Sequence, residues 1–104
     1  MHRQTKYTAI PKNVKETVYN RDRCRCVICG RYVPEECASA HLIARSHGGL
    51  GIEQNIVTLC HTCHRAYDQS THRAEIRERL EEHMKYHYPD WDEQKLIYTK
   101  EHER

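Results

Sequence analysis

Cysteine spacing constrains this chain more than any other feature: Cys26-x-x-Cys29 is followed, after thirty intervening residues, by Cys60-x-x-Cys63. A two-residue gap lets both sulfurs of a pair point the same way. Each pair can then form a knuckle, and the two knuckles together offer four thiolates to one tetrahedral Zn²⁺. Either CxxC taken alone also fits a dithiol redox pair, but two pairs, with Gly30 behind the first, favour the metal. Four sulfurs leave zinc no open position, so its expected role is structural. Zinc binding in small peptides is worth about 10–16 kcal/mol near neutral pH, comparable with the whole stability of a domain at about 5–15 kcal/mol.

Composition explains why such a staple is needed. The chain has 104 residues, 38% hydrophobic content and no Phe, which leaves little apolar surface to bury in one small domain. A single domain over residues 1–104 is expected. With no charged start followed by an apolar run and cleavage site, and no apolar stretch of membrane length, the expected location is cytoplasmic. In a reducing compartment, closely spaced cysteines favour metal over disulfides. Cys24 and Cys37 remain outside the two pairs. Cys24 sits close enough to Cys26 to compete for the metal, although a C-x-C gap matches the second pair less well. Both are expected to be reduced, partly buried small residues.

Net charge is +2, unevenly spread: residues 1–47 hold nine Lys and Arg against four acids, and residues 48–104 hold eight against eleven. The basic half is the one to face an anion. Four thiolates with one Zn²⁺ add a charge of −2, so any attraction to phosphate must be local.

Apolar periodicity predicts an N-terminal helix over about 12–21, with Pro11 near its start and Val14, Val18 and Tyr19 at helical spacing. A tight turn is expected at "CVICGRY", a strand in "CASAHLIA", and a second strand in "NIVTL". Between them, Arg45 to Gln54 carries Gly48, Gly49 and Gly51 and reads as a loop. The pattern turns helical from His61, breaks near "DQST", and resumes through "RAEIRERLEEHMKYH" to Pro89. There Ile76, Leu80 and Met84 recur every four residues as a core stripe. Zinc knuckles and strands thus occupy about 24–68. A C-terminal helix and tail occupy about 71–104, with Trp91, Leu96, Ile97 and Tyr98 folding back onto the domain.

Alone, His41 in an apolar strand reads as a core histidine, and His64 at a helix start reads as a surface residue. Their order is more telling: fourteen positions from His41 to Asn55, nine more to His64, all framed by the cysteine pairs. Through "CVICG", "AHLIARSHGG" and "NIVTLCHTCH", residues 26–64 resemble the HNH endonuclease family. In that family a ββα-metal site is built from a histidine on the first strand, an asparagine before the second and a histidine on the following helix. In its zinc-bearing branch two CxxC pairs flank this motif. Residues 68–104 resemble small stand-alone members found in bacteria and their prophages.

The resemblance implies an α+β fold: a small ββα-metal domain with flanking helices, stapled by a structural zinc on Cys26, Cys29, Cys60 and Cys63. It implies a metal-dependent hydrolase that nicks or cuts DNA, with His41 as general base, Asn55 holding the ring or the loop backbone, and His64 as ligand of a divalent ion. Mg²⁺, Mn²⁺, Ni²⁺ and Zn²⁺ all suit that ion. Many members place Asp or His directly before the strand histidine as a second ligand, whereas this chain has Ala40. Asp68, one helical turn after His64, is the replacement candidate, and it reads equally well as a helix-end acid. Arg45, Ser46 and His47 beside the proposed base, and Arg25 and Arg31 around the first knuckle, are the expected DNA phosphate contacts. The loop glycines are expected to let backbone approach the strand being cut. The alternative is a catalytically silent zinc domain that binds nucleic acid or a phage packaging or restriction partner.

Overall fold

The computed structural model describes residues 3–99. Residues 1–2 and 100–104, the ends of the expected domain and of its C-terminal tail, lie outside the described residues. The order is α1 (Arg3–Thr8), α2 (Lys12–Arg21), β1 (Ala40–His41), β2 (Ile56–Val57), α3 (His61–Gln69) and α4 (Arg73–His87), with 3-10 turns at Glu35–Cys37, Arg45–His47 and Glu93–Leu96. Helices packed around a two-stranded antiparallel sheet, with four cysteines drawn together, make this an α+β domain of the ββα-metal kind.

Pro11, at φ −63°, opens α2, whose Val18 is buried against Ala38 and Ile56. In α4 the stripe Ile76, Leu80 and Met84 is buried with Leu42, Val57, Leu59, Tyr67 and Leu96, so the expected core face holds. α3 starts where the Cys60 sulfur accepts the Cys63 N–H, a knuckle serving also as helix cap.

The strands are shorter than their apolar runs. Ala40 pairs with Val57 and His41 with Ile56. Beyond them the Leu42 amide still donates to the Asn55 carbonyl at 2.8 Å, but the next amide, of Ile43, donates to the Asn55 side chain. A side-chain amide has taken over from the ladder and ends the sheet.

The 45–54 segment, expected to lack regular structure, contains the 3-10 turn Arg45–His47, closed by Gly48 at φ +81°. A Cβ on Gly49 would lie 1.7 Å from the Ile43 carbonyl oxygen, and one on Gly51 would lie 1.9 Å from that of Ala9. The close approach these two glycines permit is therefore to the chain's own backbone. The tail does fold back: the Leu50 amide donates to Leu96, Gly49 bridges Ile97, and the Trp91 indole donates to Gln54 at 2.8 Å.

Two features were not foreseen. α1 packs its end against the loop, where the Gly51 amide donates to Tyr7. Arg21, the last residue of α2, is a structural clamp. It pairs with Asp22 and donates to the carbonyls of Glu53 at 2.7 Å and Ile56 at 2.8 Å. Asp22, with no exposed side-chain surface, also accepts from the Thr58 amide at 2.9 Å and bonds His83 at 2.7 Å, tying α2 to β2 and α4. Burial raises the Asp22 carboxyl, yet the bonds from His83, Arg21 and Thr58 outweigh it and hold its pKa at about 2. Among the described residues no helix is long and apolar enough to cross a membrane.

Candidate functional site

The sulfurs of Cys26, Cys29, Cys60 and Cys63 all lie within 4.8 Å of one another, with Cys29 and Cys60 at 3.8 Å. A regular tetrahedron with Zn–S of about 2.3 Å has sulfurs about 3.8 Å apart, so the donor set and its spacing fit a four-thiolate metal site. Burial opposes ionisation of Cys26, but the amides of Cys29, Cys60 and Ile28 outweigh it and hold that thiol at about 7. Burial and the neighbouring sulfurs of Cys60 and Cys26 push Cys63 upward. A divalent cation at the centre relieves that crowding of charge. Cys24 and Cys37 stand outside the cluster, both as free thiols, Cys37 buried and Cys24 partly so.

A second group of side chains gathers around the sheet. His41 is half-buried on β1, and its Nε2 lies 2.8 Å from the Thr8 carbonyl at the end of α1. A carbonyl only accepts, so Nε2 carries the hydrogen and Nδ1 keeps the lone pair. Burial lowers the pKa of His41 below 6.5; the Thr8 bond opposes this, and the charges of Arg45 and His64 lower it further. The ring is therefore neutral at pH 7. His64, on α3, faces Asp68 one turn later, with Nε2 and Oδ2 at 3.4 Å and both side chains open to solvent.

Asn55 is fully buried. Its Oδ1 accepts from the Ile43 amide at 2.8 Å, and its Nδ2 donates to the carbonyls of Ile43 at 3.2 Å and Leu50 at 2.8 Å. Every one of these bonds goes to loop backbone, so Asn55 closes the loop that follows β1. Tyr67, from α3, donates to the Leu42 carbonyl at 2.7 Å and pins the same turn from the other side.

This arrangement has a recognisable counterpart: a sequence profile described as HNH endonuclease matches residues 26–81, more than half of the chain. The chain belongs to the HNH endonuclease family. It is similar to a protein named Anaredoxin from Nostoc sp. strain PCC 7120, at 32% identity over 66 residues, covering 64% of this HNH chain and 80% of that protein. No solved structure matches it.

Ala40, at the position where many HNH members carry a metal ligand, is buried and its methyl offers no donor. Among the described residues the four cysteines are the group of three or more Cys, His, Asp or Glu donors close enough to hold a metal. His64 and Asp68 stand as a pair beside them. Arg45, Ser46 and His47 are exposed on the 3-10 turn after β1, with the Arg45 Nε 3.4 Å from the Thr8 hydroxyl. Arg25 and Arg31 are exposed on the first knuckle, and the Arg25 guanidinium lies over the Tyr32 ring at 4.3 Å. Sequence reasoning missed Thr8. It acts through a backbone carbonyl, which leaves no side-chain signature to find.

Proposed function

We propose that the chain is a metal-dependent endonuclease that hydrolyses DNA phosphodiester bonds. The observation that carries this reading is His41: half-buried, neutral at pH 7, and anchored through Nε2 so that Nδ1 is the free basic atom. Nδ1 takes a proton from the attacking water as the oxygen adds to phosphorus. Asn55 is a positioning residue. By closing the loop after β1 it holds the backbone that carries His41 and Arg45.

His64 and Asp68 are the residues to hold a divalent ion. Their donor atoms are 3.4 Å apart, near the roughly 3 Å separation of neighbouring ligands on one ion, and an imidazole with a carboxylate suits Mg²⁺, Mn²⁺, Ni²⁺ or Zn²⁺. Such an ion supplies a Lewis acid for the scissile phosphate and the departing 3′ oxygen. Arg45, Ser46, His47, Arg25 and Arg31 bind phosphates and position the DNA without reading bases. The four-cysteine site holds structural zinc.

The test is cleavage of supercoiled plasmid with each divalent metal, comparing the native chain with His41→Ala at equal zinc content and melting temperature. Nicked or linear product from the native chain alone is expected. Equal cleavage by both proteins would remove His41 from the mechanism. Ala40, together with the exposure of Asp68, favours one second reading, a silent zinc domain that binds nucleic acid or a phage packaging or restriction partner. It predicts DNA shifted on a gel with no cleavage under any metal.

A further inference from the structure

Away from His41, Asn55, His64 and Asp68, a groove of about 480 Å³ opens between the first knuckle and the C-terminal half of α4. Its size falls within the roughly 300–1,000 Å³ of small-ligand sites. Arg23, Arg25, Tyr32, His83, Tyr86 and His87 line it. Tyr32 and Tyr86 are 68% and 82% exposed and are the large apolar side chains left open to solvent among the described residues.

Charge on this surface has one sign. The acid lining the groove is Asp22, which is fully covered and consumed by Arg21, His83 and the Thr58 amide. The Arg23 amide donates to the Asn20 carbonyl, but its guanidinium has no hydrogen-bond or ion-pair partner among the described residues, and the Arg25 guanidinium lies on the face and hydroxyl of Tyr32. Arg23 also stands in left-handed backbone, at φ +57°, followed by Cys24 at +62°. Glycine would adopt that conformation without strain, yet the position carries a cation at the groove's rim.

The exposed ring of Tyr86 and the face of Tyr32 opposite Arg25, beside arginines that no acid neutralises, match a polymer that offers flat rings and phosphates together. In a duplex the rings are stacked away from such a surface. We propose that this groove binds unpaired nucleotides of a DNA strand, with bases stacking on Tyr32 and Tyr86 and phosphates meeting Arg23 and Arg25. The inference deepens the nuclease reading, on which it rests for the choice of DNA, by adding a strand-holding surface outside the His41–His64 site.

The experiment is fluorescence anisotropy of a labelled 12-nucleotide oligothymidylate with the zinc-loaded chain, without other divalent ions so that the strand stays whole. A blunt duplex of the same length and poly-glutamate serve as competitors. Two variants keep the fold: Tyr86→Ala on the exposed face of α4, and Arg23→Gly, which relieves the left-handed strain and leaves the melting temperature equal or higher. Tyr86→Ala is expected to weaken single-strand binding about fivefold or more, the lower end of what one stacked base is worth. Arg23→Gly is expected to weaken it and to flatten the dependence of log affinity on log salt by about 0.7. Unchanged binding in both variants, or competition by duplex or poly-glutamate as strong as by oligothymidylate, would overturn the proposal. A chain that binds the strand through Tyr86 and Arg23 but cuts nothing would overturn the nuclease reading alone. One that cuts DNA and is indifferent to both variants would overturn the groove alone.

Discussion

At the scale of single residues, this chain places its chemistry where desolvation and one or two bonds fix a protonation state. His41 is the clearest case. Its depressed pKa means that the neutral, basic form persists to lower pH than an ordinary histidine allows. The acid limb of the pH–rate profile for plasmid cleavage should therefore have its midpoint below 6.5, and a limb centred at or above that value would contradict the assignment. Asp22 tests a different point. Its covered carboxylate balances the Arg21 guanidinium, so Asp22→Asn leaves a buried cation unpaired and should cost about 2–4 kcal/mol. Asp68→Asn, at a half-exposed position, should change stability by no more than about 0.5 kcal/mol. Thermal melting of the two variants at pH 7 separates them, and equal losses would show that Asp22 is not the stabilising member. Sequence offered no means of telling these acids apart, because each sits near a helix end beside a polar stretch and only burial distinguishes them.

At the scale of elements, the helices after α1 and the places of both strands were legible, whereas α1 and the short length of the strands were not. The Ile76, Leu80 and Met84 stripe places α4 by periodicity alone, and packing of that stripe is what keeps the helix, since a charged outer face adds little. Leu80→Ala, at a fully buried site, should cost about 2–5 kcal/mol. A loss below 1 kcal/mol in denaturant titration would mean that α4 does not rest on this core. The apolar runs containing β1 and β2 promised longer strands than form. Asn55 shortens them by exchanging ladder bonds for side-chain bonds, a trade that depends on its burial 12 residues away from Ile43. α1 had no periodic signal at all. It is held by its neighbours, through the loop glycine at 51 and the ring of Tyr98 against Tyr7 at 5.3 Å.

At the scale of the whole molecule, a chain with no Phe reaches stability by tying distant segments to one point. The four thiols join the first knuckle to the start of α3 across 31 positions, so a metal there closes a loop around the sheet. Stripping metal from this site with a chelator should therefore cost far more than the local knuckles, with loss of helical circular dichroism and recovery on adding Zn²⁺. Retention of the full signal without metal would mean that burial alone suffices. The cysteine pairs, the His41, Asn55 and His64 order and the α4 stripe could all be read directly from the chain, because metal ligation and helical packing restrict residue type at fixed short spacings. The Thr8 carbonyl under His41, the Arg21 and Asp22 clamp, and the groove that brings Tyr32 beside Tyr86 could not. Each joins positions 32 to 67 residues apart through contacts and burial that do not exist until the chain has folded.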